Sequence, residues 1–505
     1  MLELQLWKDT AAAARLRFQL AAACAAVLLA ILVAPHPLFF PLDDAYITIH
    51  NADVLLSGVD PNYGVPPLTG ATSQIHLLLV AFAKLLLPSP AAIFAVGLAG
   101  IALYVAALAR IAFQLGGSTI AAALFVLLGT LIGAAPYQLL NGLETGLAMA
   151  AVAWASSLAL EPALSVRLPL LCGLMPFLRP ELAALSGLLM LRQLGLRARA
   201  GNLALAVRDV VLAGLVALPF LAWTWLSLGS LVPATAKAKE LFFADRHAPW
   251  GAKTHVMLMA FVACGQAPLA IVALLAWRAR LWAPLAGFAG AFLLALWLTL
   301  PAGAGHNYGR YLFVLLPALL YLTLVALKTS RWGGIGCVVL AGWTTLSLPV
   351  ALHQYRADTQ LAAHEFVSLA AWLDANLPPD AVVLIHDAGY LAYATPFRLV
   401  DVVGLKTPGS IAYHRVCTAP SNGRERGKAI SAIALTSGAR YAVVKQDVPP
   451  FWASVGTGLA ANGWGLRELR APSMPNGYAV YALTPPADTR VPCRAAAPAP
   501  SAQPR

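Results

Sequence analysis

The sequence predicts a polytopic α-helical membrane protein of about eleven transmembrane helices, counting one short pair, followed by an extracytoplasmic α/β domain. Three observations lead there. Hydrophobic residues make up 60% of the 505 residues and mean hydropathy is +0.73, well beyond a soluble domain. Apolar runs near or above bilayer-spanning length recur along the chain. After His353 the composition changes to ordinary charge density with alternating helix and strand signals.

The N-terminus carries Lys8, Arg15 and Arg17 before an apolar run over about 18–40. That run is too long for a signal-peptide core and has no small-residue cleavage site after it. It reads as an uncleaved span with a cytoplasmic N-terminus. Residues 41–90 form a first outer loop, broken by Asp60-Pro61-Asn62-Tyr63-Gly64 and Val65-Pro66-Pro67. Within it, 72–87 is helical but roughly 24 Å long at 1.5 Å per residue, with His76 and Lys84 on one half. An interfacial helix suits that pattern better than a span.

Spans follow over about 91–112, 118–138 and 141–161. Pro176 and Pro180 break the next region, which is flanked by Arg167 and by Arg192, Arg197 and Arg199. Two short helices dipping in and out, with Arg179 and Glu181 at their tip, fit the two positive flanks. A single kinked span is the alternative and inverts everything after it. Further spans cover 207–228, 254–277, 281–301, 310–328 and 332–351, completing a membrane domain over 1–356. In 357–487, an amphipathic helix (361–376) ends at Pro378-Pro379, and strands are expected at 381–385, 397–403, 441–445 and 478–483. The Pro/Ala-rich stretch 488–505 reads as a disordered tail.

The formal charge is +12. Its basic residues punctuate the apolar runs, which is a topology signal; a nucleic-acid binder gathers them on a soluble face. Membrane lipids are expected as partners and nucleic acid is not. The six cysteines show no metal-ligand spacing. Cys417 and Cys493 both lie in the soluble part, where an oxidising compartment would allow them to pair.

Two acids, Asp43 and Asp44, stand together at the edge of the first span. An ionised carboxylate there is costly unless solvated, paired or used. Helix capping accounts for one acid, with Asp43 as N-cap of a helix running to Leu56; a second asks for another role. On this topology His50, Asn51, Asn141, Glu144, Lys237, Lys239, His306, Tyr308, Arg310 and Tyr311 collect on the same outer face; Tyr46 and Thr48 of the first-loop stretch are candidate donor- or acceptor-binding residues with them, and Arg179 and Glu181 point toward that face or form a buried pair. Singly each has a plainer reading: dipole compensation for Glu144, lipid headgroups for Lys237 and Lys239, an interfacial anchor for Arg310-Tyr311. Jointly they suggest a carboxylate base beside an anion site. That suits a lipid-linked sugar phosphate: cations hold the leaving phosphate and one carboxylate deprotonates the acceptor hydroxyl, whereas a glycosidase needs two carboxyls.

The same residues resemble a family. Asp43-Asp44-Ala45-Tyr46-Ile47-Thr48 is similar to the first-loop signature of membrane-embedded GT-C glycosyltransferases that use polyprenyl-phosphate sugars, nearest the branch containing the mycobacterial terminal arabinofuranosyltransferases. Asn141-Gly142-Leu143-Glu144-Thr145, Leu178-Arg179-Pro180-Glu181, Gly229-Ser230-Leu231-Val232-Pro233 through Lys239, and Arg310-Tyr311 through Pro317 match further family segments in order. So do Trp372-Leu373-Asp374 through Ala381 and Val400-Asp401-Val402-Val403-Gly404 in the soluble part.

The resemblance implies that Asp43 or Asp44 is the general base, while the other positions it or holds a divalent cation (Mg or Mn). It implies a polyprenyl-phosphate-linked sugar donor, a glycan, lipid or protein acceptor of the cell envelope, inversion at the sugar carbon, and a place in the bacterial cytoplasmic membrane. His50 stands where Arg is common, Thr69 where an acid precedes Gly70, Gln74 and His76 for Pro and Trp, and Ala234 for Asn. The lost acid weighs against a metal, and the other changes against a fixed arabinose donor. The rivals are a flippase of a lipid-linked saccharide, which lacks the expected internal repeat here, and a non-catalytic cell-envelope assembly subunit.

Overall fold

The structure is a computed structural model that describes residues 2–161, 164–446, 454–473, 477–488, 490–491 and 493. Most of the stretch expected to be a disordered tail lies outside the described residues. Among those described, six helices are long and apolar enough to cross a membrane: within Ala11–Val33, Ser89–Gln114, Leu203–Leu228, Trp282–Thr299, Pro301–Thr329 and Gly333–Asn376. A seventh is made by Trp250–Ala263 and Ala267–Ala276, bent by 101° at their junction. Shorter apolar helices at Gln74–Lys84, Thr119–Leu131, Thr145–Leu160 and Arg167–Leu178 complete a multi-pass bundle. The first helix ends at Val33, not near Phe40.

Thr145–Leu160 is the centre of the bundle. Its residues are all buried except Trp154, which is half-buried. A glycine on the neighbouring helix Ser89–Gln114 lets the two come close: a Cβ at Gly100 would meet the Leu147 amide nitrogen at 3.1 Å. At one end of this core, cations converge on the carbonyls that terminate the helices. Arg192 donates to the Ala159 carbonyl, Arg280 to that of Leu160 and Lys328 to that of Leu115, while Arg110 pairs with Glu161 at 2.6 Å. The opposite end carries Glu144 and the acids of the first loop.

Gly333–Asn376 is one helix of 44 residues. It replaces the expected span and separate amphipathic helix, and carries the chain directly from the bundle into a five-stranded sheet. The strands are β1 (Val382–Ile385), β2 (Arg398–Asp401), β3 (Tyr441–Lys445), β4 (Gly465–Arg470) and β5 (Tyr478–Thr484). Their order is β2-β1-β3-β5-β4, with β2, β1 and β3 parallel and the last two antiparallel to their neighbours. Four strands lie where the sequence puts them; β4 was not foreseen. Cys417 and Cys493 form a disulfide.

Candidate active site

The two aspartates are divided by helix geometry. Both lie in the first turn of Asp43–Ser57, whose N-cap is Leu42, so neither acid is the cap residue. Anions are favoured at this end of a helix, and adjacent residues project about 100° apart. Asp43 therefore faces the sheet domain and Asp44 the bundle.

Asp43 accepts the amide N–H groups of Gly389 and Tyr390, each at 2.7 Å, at the start of the short helix Tyr390–Ala394 after β1. Burial and the neighbouring Asp387 charge push its carboxyl well above the usual range, against the pull of those two donors. Asp44 keeps a quarter of its side chain exposed. Its Oδ2 accepts from Arg310 Nη1 at 2.5 Å and lies 4.0 Å from Lys239 Nζ. Burial acts to raise its carboxyl, but the charges of Lys239, Arg310 and His306 outweigh it and hold it below the ordinary value.

Arg310 extends the network. Its other terminal nitrogen donates to Glu144 Oε1 at 3.0 Å, which also accepts from Arg179 at 3.1 Å; Arg179 in turn pairs with Glu181 at 2.6 Å. Arg179 is fully buried, and Glu144 and Arg310 nearly so. Glu144 is positioned by the turn before it. Asn141 accepts the Leu143 amide at 3.0 Å, and Gly142 adopts φ +76° with Phe40 packed against it. Tyr311 lies beneath the cations: Arg179, Lys239 and Arg310 each sit within 6 Å of its ring, and its hydroxyl accepts from Lys239 at 3.1 Å.

These groups line a narrow cleft of about 30 Å³. Asp44, Thr48, Glu144, Lys239 and Arg310 were expected in it. His76, Thr72, Ser73 and Thr235 join them, as does Leu405 from the sheet domain. In the sequence, His76 registered as part of the polar half of an interfacial helix and as a departure from a family Trp, not as a site residue.

Other candidates lie elsewhere. His50 Nε2 bonds Asn62 Oδ1 at 3.1 Å inside the first loop. The Tyr46 hydroxyl accepts the Phe40 amide at 3.2 Å, its ring packed on Tyr390 and Phe366. Lys237 is exposed and pairs with Glu240 at 3.0 Å. Asn141 shapes the turn. His306 stacks on Tyr311, and the Tyr308 hydroxyl donates to Asp358 at 2.8 Å. No set of three or more His, Cys, Asp or Glu among the described residues converges as a metal site. The Asp43 carboxylate is engaged by two amides and that of Asp44 by cations, which is a poor fit to a divalent ion.

Residues 353–490 match a family model described as a domain of unknown function (DUF8728). No curated protein sequence matches the chain. Among solved structures, the chain is similar to ArnT from Cupriavidus metallidurans bound to undecaprenyl phosphate. The TM-score is 0.57 at 14% identity, covering 92% of this chain and 97% of that one. A looser similarity joins it to the arabinofuranosyltransferase AftD from mycobacteria: TM-score 0.36, 19% identity, 92% of this chain and 41% of that one. The likeness to ArnT shows the fold: the chain has the GT-C-like architecture its motifs resemble.

Proposed function

We propose that the chain is an inverting glycosyltransferase that moves a sugar from a polyprenyl-phosphate donor to a cell-envelope glycan, lipid or protein, with Asp44 as general base. The observation that carries this is a single cleft in which one partly exposed carboxylate meets Arg310 and Lys239. The shared fold with ArnT, a structure bound to undecaprenyl phosphate, supports the donor class. The acceptor oxygen attacks the anomeric carbon and its proton passes to Asp44. The bond from that carbon to the phosphate oxygen breaks, and the electron pair leaves on polyprenyl phosphate, where Lys239 and Arg310 hold the charge. An arriving phosphate competes with Asp44 for the same cations, so donor binding itself frees the base and makes it more basic. Asp43 positions the helix by its bonds to the sheet domain, and no step is routed through a metal.

Two features support a reaction on the outer side of the cytoplasmic membrane, with the N-terminus inside. Arg110, Arg192, Arg280 and Lys328 gather at the end of the bundle away from the cleft. The sheet domain, on the cleft side, carries the Cys417–Cys493 disulfide.

The test is transfer by purified protein from a panel of radiolabelled polyprenyl-phosphate sugars to a membrane extract. Asp44→Asn is expected to lose at least about 10²-fold in kcat, the low end for a general base, with donor binding retained. Wild-type rates in that variant would remove Asp44 from the chemistry; no donor consumed by the wild type would favour the flippase reading.

A further inference from the structure

A second, open cleft of about 370 Å³ is lined by Pro41 and Leu42, immediately before the aspartate pair. Its walls come from Leu42 just before Asp43, the turn at Asn307-Tyr308, Tyr137, the long helix at Phe366, and Lys445 and Tyr478 of the sheet. We propose that this cleft binds the acceptor as a neutral saccharide ring, an inference that rests on the transferase reading above.

The turn is the first indication. Asn307 (φ 48°, ψ 53°) and Tyr308 (φ 57°, ψ 43°) are consecutive non-glycine residues in the left-handed region. Such conformations are costly and persist where the surroundings over-determine them, typically at functional sites. Here Gln138 donates to the Asn307 carbonyl at 2.7 Å, and Asp358 accepts the Tyr308 hydroxyl while taking bonds from Tyr137 and Gln354. The device holds Tyr308 against Tyr137, ring centroids 4.7 Å apart, yet leaves it 37% exposed. A fixed aromatic ring facing open space offers a platform to a ligand.

The chemistry of the walls selects the ligand. Tyr308 presents exposed ring surface for the C–H face of a sugar, backed by the buried rings of Tyr137, Tyr478 and Phe366. The Asn307 amide makes no hydrogen bond to another described residue and can reach a hydroxyl group at the rim, where the Lys445 ammonium lies 6.0 Å from the Tyr478 ring centre. The charge contrast with the first cleft is clear. There Arg310 and Lys239 suit a phosphate; here Asp358 and Glu365 stand beside Lys445, which disfavours an anion. Leu42 joins the two regions: it lines the second cleft and stands two residues before Asp44, which lines the first. A saccharide in the second cleft therefore lies beside the base, and the donor phosphate on the far side of it.

Binding of methyl glycosides of arabinofuranose, galactofuranose, mannose and glucose, with their linear trisaccharides, is measured by saturation-transfer NMR on the purified full-length protein. At least one is expected to bind, weakened about tenfold in Tyr308→Ala, the scale of one aromatic contact. Tyr308→Phe keeps the ring and is expected to bind as the wild type does; it reports should the Ala variant fail to fold. No binding by the wild type, or wild-type affinity in folded Tyr308→Ala, overturns the proposal. Transfer from polyprenyl-phosphate sugar is scored separately. Saccharide binding without any donor consumption would sink the transferase reading and leave this cleft a saccharide site. Transfer with an acceptor KM unmoved in Tyr308→Ala would sink the cleft assignment alone.

Discussion

Replacing Arg310 by Met tests whether the cation network is the electrostatic centre of the site. Arg310 is 5% exposed and holds two carboxylates, Asp44 at 2.5 Å and Glu144 at 3.0 Å. Removing one partner of a buried ion pair costs about 3–5 kcal/mol, because a desolvated charge is left behind. Neither carboxylate is left bare here: Glu144 keeps Arg179 at 3.1 Å, and Asp44 keeps Lys239 at 4.0 Å with a quarter of its side chain in contact with solvent. The expected cost is therefore near the lower bound, about 3 kcal/mol, or about 6 °C in Tm at the shift per kcal/mol of a large domain. The assay is thermal unfolding of the detergent-purified protein, alone and with Glu144→Gln added. The double variant should recover part of the loss, because it removes the charge that Arg310 neutralised. A drop below about 1 kcal/mol, the scale of a surface pair, would refute the reasoning. So would a double variant less stable than Arg310→Met alone.

Asp44 is held below its ordinary value by charges that outweigh burial, so the acid limb of kcat/KM should fall below about pH 3.9, the free aspartate value. The sign for stability is the same: a depressed folded value gives stabilisation that is present above the unfolded value and lost as pH falls through the folded one. Lys239→Met should move that limb upward, read from a pH–rate profile. Gly389→Ala places a Cβ 2.1 Å from the Asp43 carbonyl oxygen and 2.9 Å from the Ile47 nitrogen. The helix must retreat by about 1 Å, which should lower kcat about 10²-fold with the fold intact; an unchanged rate would show that this seam does not position the base.

The bundle was legible because bilayer-spanning runs and their charged flanks are local properties of the chain. The failures were also physical. β4 reads Gly465-Leu466-Arg467-Glu468-Leu469-Arg470 and is an edge strand exposed or half-buried throughout. Charge on an edge protects it from pairing with other chains and also hides the alternation that marks a strand. The change of composition after His353 read as a boundary between a span and a separate helix, yet one helix runs through it from Gly333 to Asn376. The pair of acids was visible as an anomaly. Their division of labour was not, since it depends on Gly389 and Arg310, which are hundreds of residues away in the chain. His76 and Leu405 were missed for the same reason: nothing local distinguishes a cleft-lining residue from a core one.

The sheet domain does more than sit on the bundle, because most of its polar ties run to the loop that carries Asp44. Asn62 donates to the carbonyls of Thr395 and Phe397 at 2.8 and 2.9 Å, and its own carbonyl accepts from Leu399 at 3.0 Å. Lys406 enters the loop from the domain, donating to Asn51 at 2.7 Å and pairing at 3.3 Å with Asp60, both ions fully buried. Gly70, at φ +82°, packs against that lysine where a Cβ would stand 2.9 Å from its stem. A buried ion pair of this kind contributes little net stability after desolvation, so its value lies in geometry: Lys406 finds its partners in one register of loop against sheet. Asp43 adds a second fixed point at Gly389 and Tyr390. With one face of Asp43–Ser57 set by the domain and the other by Arg310, Asp44 has little freedom to move. Such preorganisation is what a base facing a developing charge requires, since no reorganisation is then left for the moment of reaction.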